Sequence, residues 1–474
     1  MDTKEILGYA AGSIGSAVLA VIILPLLSWY FPADDIGRIV LMQTAAGLTV
    51  SVLCLGLDQA YVREYYATAD KDTLFKTLFL PPLLSAAAIA ALLLSRPSLP
   101  SEILFSLDDA AAGIGLVLFE LSFLPIRFLL LVLRMEGRAL AFSSAQLVPK
   151  LAILLLLLPL TVGLLHFPAN TAVLTAVYAL ANLAAAAFLL FQNRCRLKAV
   201  RRAPFSSAVL HRGLRYGIPI ALSSIAYWGL ASADRLFLKK YAGLEQLGVY
   251  SMGISFGGAA LLFQSIFSTV WTPYIFRAIE ANAPPARLSA TAESAAALLA
   301  SALCLTGIFS PLASLLLPEN YAAVRFIVVS CMLPPLFCTL VEISGIGLNV
   351  VRKTRPIALA TLGALAANLL LLGLAVPSGG ARGAAVACAA SFWLFFVFKT
   401  ESSCRLWQPL KRLPLYMHTL FCLASSAAYT CFGTPANYPL FAGVWAAYLA
   451  GCILRHRKDL HKLFHYLKKQ GFPL

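Results

Sequence analysis

GLRYGIPIALSSIAYWGLASADRLFLKKYAGLEQLGVY, residues 213–250, carries the plan of the whole chain in one segment. Arg212 and Arg215 stand at its start, roughly 18 uncharged residues follow, and Asp234-Arg235 with Lys239-Lys240 close it. Coiled into a helix, an uncharged run of that length matches the hydrocarbon core of a bilayer. The segment reads as a membrane span with a charged knot at its far end. It follows the longest basic stretch in the chain, near the midpoint, and it looks like a second beginning.

The composition extends that reading to all 474 residues. Hydrophobic residues make up 60% and charged ones 12%, with mean hydropathy +0.82. Soluble domains carry about 45–50% apolar and about 25% charged residues, so this is the composition of an integral membrane protein. A formal net charge of +16 would suggest nucleic acid in a soluble protein. Here lysine and arginine gathered in cytoplasmic loops account for it, and no nucleic-acid partner is expected. The cysteines show no CxxC pair and no metal-type spacing, and most lie in apolar runs, where a thiol packs as a small hydrophobe. No cleavable signal peptide is expected. Met1-Asp-Thr-Lys-Glu5 is mixed in charge, and the apolar run to Trp29 is too long for one.

Windows of roughly 20 apolar residues mark about fourteen spans, at roughly 6–29, 37–57, 77–95, 111–132, 141–165, 170–192, 214–237, 248–270, 293–317, 322–349, 357–376, 383–398, 414–432 and 438–454. With the N-terminus inside, 28 lysines and arginines fall in the cytoplasmic segments and six opposite, which places both termini in the cytoplasm. The basic segment 193–214 reads as a helix-breaking connector between lobes. After Leu454, RHRKDLHKLFHYLKKQGFPL puts Leu460, Leu463, Phe464 and Leu467 on one face. It reads either as an amphipathic helix held to anionic membrane lipids or as a basic tail that serves topology alone.

The first six spans are echoed by the next six. Phe119-Glu120-Leu121-Ser122 matches Val341-Glu342-Ile343-Ser344, each before a basic cluster. Leu7-Gly8-Tyr9-Ala10 leads to Asp34-Asp35-Ile36-Gly37 as Leu214-Arg215-Tyr216-Gly217 leads to Glu245-Gln246-Leu247-Gly248. An even number of spans per copy makes the repeat parallel. The expected fold is an all-α polytopic membrane protein. It has an N-lobe at 1–200, a C-lobe at 201–400, and two further helices with a basic tail at 401–474. Two such lobes around a cavity that opens alternately to each side suit transport.

A charge at mid-bilayer costs roughly 2.5–3.5 kcal/mol on insertion scales, so each needs a partner, water or a purpose. Lys150, in AQLVPKLAILLLLLPL, is the clearest case. Glu120 and Arg127 lie seven residues apart and share a helix face. Either a Glu120–Lys150 or Arg127–acid pair locks helices together, or Lys150 and Arg127 line a watery cavity and bind an anion. Glu342 is the partner of a base or a proton-titrating site. Asp58 and Arg63, in GLDQAYVREYY, are interfacial caps or ligand contacts. Asp234 with Arg235 forms a solvated interfacial pair or a gate. Arg277 is a weaker cationic candidate. No Ser/His/Asp, metal-ligand or phosphate-loop motif occurs, so neither catalysis nor a cofactor is expected.

LGLDQAYVREYY at 55–66 and SADRLFLKKYAGLEQLGVYSMG at 232–253 resemble the Wzx-type oligosaccharide flippases of the multidrug/oligosaccharidyl-lipid/polysaccharide exporter superfamily. The second stretch is the more specific, similar to that family's Asp-Arg-Leu, Gly, Gly-x-Tyr-Ser pattern. The resemblance implies transfer of an undecaprenyl-pyrophosphate-linked glycan from the inner to the outer leaflet of a bacterial inner membrane. Length and basic loops are similar to the flippase of pilin glycosylation, with glycosyltransferases or an oligosaccharyltransferase as pathway partners. On that footing Arg127, Lys150, Arg63 and Arg277 hold the pyrophosphate and sugar. Glu120, Glu342, Asp58 and Asp234 are the acids available for gating or for coupling to protons or sodium. A multidrug antiporter shares the architecture but tends to carry an acid in its first span, which residues 6–29 lack. A lipid II flippase differs mainly in substrate. An enzyme would need a larger outer loop than any present.

Overall fold

The structure, a computed structural model, describes residues 3–161, 168–261, 288–351 and 353–469, together with Gln264, Trp271 and Ile275. All regular structure among these residues is helical. Contacts divide the chain into two compact units, Met1–Ser251 and Met252–Leu474.

The first unit holds α1 (Thr3–Ser28), α2 (Ala33–Cys54), α3 (Leu57–Glu64), α4 (Lys71–Leu94), α5 (Leu99–Phe105) and α6 (Ala110–Met135). It continues through α7 (Ala139–Thr161), α8 (Thr171–Gln192), α9 (Arg194–Arg202), α10 (Ser207–Tyr241) and the start of α11 (Gly243–Gly257). Within it α6 packs on α8 and α1 on α7. The second unit holds α12 (Leu288–Phe309), α13 (Ala313–Leu316), α14 (Val324–Ser344), α15 (Ile346–Val350), α16 (Thr354–Leu406), α17 (Arg412–Phe432) and α18 (Tyr438–Lys469). There α14 packs on α16 and α12 on α18.

Every expected span falls on helical residues where it is described, the fifth only as far as residue 161 and the eighth as far as 261, because 162–167 and most of 262–287 lie outside the described residues; the second, ninth and tenth each run across a break between helices. Among the described residues 9 helices are long and apolar enough to cross a membrane. One of them, α16, carries two spans, since Gly380 at φ 50° and ψ −130° breaks it. The chain is an all-α, multi-pass membrane protein.

Polar residues at the span ends set the helix starts by accepting N–H groups that have no partner within the helix. Asp70 does this for α4, Asp109 for α6, Asn170 for α8 and Ser206 for α10. At Asp70 the Thr73 hydroxyl and the Thr73 and Asp72 amides hold the carboxyl below its usual range.

Two expectations change. The connector breaks the helices at Asn193 and at 203–206, but it carries a helix of its own between them: residues 194–202 form α9. One of its charges is paired: Arg196 bonds Glu136 at the end of α6 and reaches Asp72 of α4 at 3.5 Å. Lys76 in turn donates to the Ala203 carbonyl at 2.6 Å. The basic tail is not a separate helix, because α18 runs unbroken from the last span to Lys469.

One arrangement positions the site. Leu55 and Gly56, at φ 46° and 72°, are left-handed and split α2 from α3. Antiparallel to α2 runs α10. A Cβ on Gly56 would overlap the Gly217 carbonyl, so the two backbones touch. Further along, the Trp228 indole donates to the Thr44 carbonyl at 3.1 Å. At the other end, Gly37 lies against the Leu244 carbonyl and Gly248 against the Ala33 carbonyl. Gly37 and Gly248 occupy matching places in the two sequence echoes, and each lies against the main chain of the other's helix.

Candidate functional site

Where α3 leaves α2, the side chains of α2, α3, α6 and α10 enclose a cleft of about 420 Å³. Its wall is fixed from behind by an aromatic core. Tyr61, Phe75 and Phe128 are fully buried, and Phe75 meets both other rings edge-on, at 5.8 and 6.3 Å. That packing ties α3 to α4 and α6 and holds the residues one turn away in register.

On this wall Asp58 and Arg127 meet. Arg127 donates from Nε at 3.1 Å and from Nη2 at 2.8 Å, both to Oδ2 of Asp58. Gln59 Nε2 donates to the same oxygen at 2.9 Å. The Asp58 side chain is 10% exposed and that of Arg127 45%, so the carboxylate lies deep while the guanidinium faces the cleft. Two donations to one oxygen leave most of the guanidinium N–H groups unspent. Ser51, Gln59 and Ser224 add polar groups to an otherwise apolar lining. The arrangement is chemically suited to an anion that carries several oxygens.

The sequence nominated both Asp58 and Arg127, and the structure brings them together. Asp58 is not a cap, since α3 has no side-chain cap. Nor does it pair with Arg63, whose guanidinium lies 4.1 Å from the centroid of the Tyr216 ring on α10. Arg63 is exposed at the mouth of the same helix pair.

Glu120 and Arg127 share a face of α6 but line different recesses. Glu120 opens on a second cavity of about 240 Å³, bounded by Thr49 of α2 and by Ile89, Leu93 and Ile103. Both of its carboxylate oxygens are buried, with the Thr49 hydroxyl as their neighbouring hydrogen-bonding group. Lys150 is half-buried on α7 and lines neither described cavity. The Glu120–Lys150 pair is not formed: no ion pair or hydrogen bond engages the Lys150 ammonium among the described residues.

Asp234 is not solvated. It is 1% exposed, accepts from the Tyr250 hydroxyl and from the Arg235 amide at 2.9 Å, and ties α10 to α11. Glu342, in the second unit, accepts from Gln264 at 3.3 Å, and its other oxygen is buried without a partner. Arg277 lies outside the described residues. Among the described residues no group of His, Cys, Asp and Glu is arranged to hold a metal.

No protein-family model and no curated protein matches the sequence. Solved structures do. The chain is similar to the lipid II flippase MurJ in its inward closed conformation, with TM-score 0.69 and 12% identity over 95% of this chain and 99% of that one. It is also similar to a multidrug resistance MATE family transporter of the MOP superfamily. The outward-facing form gives TM-score 0.55 and 14% identity over 88% of this chain and 96% of that one. The inward-facing form gives 0.57 and 13% over 82% and 95%. At 12–14% identity these likenesses show a shared fold.

Sequence reasoning missed Gln59, which shares Asp58 with Arg127, and Tyr216, the platform under Arg63. It also missed the structural part played by Gly56. The signal for Gly56 was present in Leu55-Gly56-Leu57-Asp58, where a glycine interrupts a span just before an acid.

Proposed function

We propose that the protein moves a polyprenyl-pyrophosphate-linked oligosaccharide from the inner to the outer leaflet of the bacterial inner membrane. It does so by alternating access, for protein or surface glycosylation. One observation carries this reading: the Arg127 guanidinium, partly paired and facing a cleft within a membrane transporter fold. A pyrophosphate is a dense, many-oxygened anion, and arginine binds it through a planar fork. Arg63, Lys150 and Arg277 supply further positive charge along the path. Glu120, Glu342, Asp58 and Asp234 are the acids available for gating or for coupling to protons or sodium. The lobes are 1–200 and 201–400, with 401–474 as an appendage, and both termini are cytoplasmic. Glycosyltransferases or an oligosaccharyltransferase act before and after it.

The likeness to a lipid II flippase supports a lipid-linked substrate in kind. A second reading, a cation-coupled drug or metabolite antiporter, is favoured by Glu120, an acid buried in an apolar recess with no cation beside it among the described residues.

The test replaces Arg127 and Lys150 singly with alanine and follows surface glycan display together with protein abundance. The expected result is loss of display with abundance retained. Loss of abundance would make these charges structural. Unchanged display on deleting the whole gene would end the flippase reading in favour of the antiporter.

A further inference from the structure

We propose that Asp58 is a competitor built into the cleft. It occupies Arg127 while the site is empty, an incoming diphosphate displaces it, and its release loosens the backbone joint between α3 and α10. The proposal rests on the anion-binding reading of the cleft given above.

Three observations converge on it. The first is the geometry of the pair. Arg127 spends two donors on a single oxygen of Asp58, and the carboxylate lies deeper than the guanidinium. An anion arriving from the cleft therefore meets Arg127 before Asp58. A diphosphate presents several charged oxygens to the free N–H groups, while Asp58 holds the cation by one. Exchange of one acid for another keeps the arginine paired throughout, which matters in a poorly solvated wall where an unpaired charge is costly.

The second is the place of Asp58 in the chain. It is the second residue of α3, directly after the left-handed Leu55 and Gly56, and no side-chain cap fixes that start. Apart from its own backbone, Asp58 is held by Arg127 and Gln59. Once a diphosphate sits on Arg127, the Asp58 carboxylate loses its cation and faces a like charge, so it is driven away.

The third is what lies two residues upstream. Gly56 touches Gly217 backbone to backbone, and Tyr216 beside it carries the Arg63 guanidinium. A shift at Asp58 reaches this joint through two peptide units. The joint has no side chains of its own to absorb the movement. Loading of the cleft and loosening of one end of the α2–α10 contact are then a single event.

The test uses the full-length protein in nanodiscs, with inorganic pyrophosphate as the probe. Binding is measured calorimetrically for the parent, Asp58→Asn and Arg127→Ala. Hydrogen exchange is followed over residues 54–60 in the parent with and without pyrophosphate. Removing the competing charge is expected to tighten pyrophosphate binding by about tenfold in Asp58→Asn, while glycan display in cells falls. Exchange over 54–60 is expected to rise on adding pyrophosphate to the parent.

If Arg127→Ala binds pyrophosphate as well as the parent, the cleft is not the anion site and the function reading falls. If Arg127→Ala loses binding and Asp58→Asn loses it too, Asp58 is a positioning residue and only the competitor proposal is overturned. Unchanged exchange in the parent at saturating pyrophosphate overturns it as well, and that measurement needs no variant to fold.

Discussion

Tyr250 and Asp234 show how a single buried acid can be misjudged from sequence. In SADRLFLKKYAGLEQLGVY, the Asp-Arg pair beside two lysines has the profile of a solvated interface. The aromatic that buries it comes from the next helix, and nothing in local spacing announces a hydroxyl aimed backwards across a turn. Removing that hydroxyl leaves a carboxylate oxygen at 1% exposure short of a donor. Tyr250→Phe is expected to destabilise the protein by about 1–3 kcal/mol, read as a lowered thermal midpoint in detergent. An unchanged midpoint would mean that Asp234 finds another donor at no cost. Asp58 and Arg127 repeat the lesson. Each was legible as a candidate, because a charge in an apolar run stands out. Their pairing was not, because they are 69 residues apart. Helical spacing linked Arg127 to Glu120 instead, and α2 separates the recesses those two line.

At the scale of elements, the spans were legible because hydrophobic length is a local property that a bilayer imposes segment by segment. The caps were equally local. What escaped was α9, whose crowded arginines read as a break. Its helix is held by Glu136 and Asp72, acids 60 and more residues earlier in the chain. The short α3 lay beyond the second span, which was ended at residue 57, and it went unread for a related reason: its boundary is a pair of backbone angles. Gly56 at φ 72° is strained by any side chain, and a Cβ there meets Gly217. Gly56→Ala is expected to lower folded yield and to abolish glycan display, whereas Gly137→Ala, strained alike at φ 70° but with open space around it, should cost about 1 kcal/mol. Comparing the two yields in membranes separates the joint from the strain. Equal yields would deny the joint any importance.

At the scale of the molecule, composition decided the class and charge asymmetry the expected orientation. Two native cysteines can check the latter. Cys195 on α9 and Cys431 near the end of α17 are both exposed. With the basic connector inside, a membrane-impermeant maleimide is expected to label Cys431 in whole cells and Cys195 only after permeabilisation. The reverse pattern would invert the protein. The echo of Gly37 in Gly248 was visible as a repeat, but their meeting was not, since sequence gives similarity and not adjacency.

That meeting with α11, and the one between Gly56 and Gly217 of α10, leave α2 joined at both ends by bare main chain. Glycine has no rotamers to freeze, so remaking either joint costs no side-chain entropy. A seam of interlocking side chains must find one fit among many each time it closes. A seam of peptide planes has a single way to lie flat, and so it can part and return through many cycles without jamming.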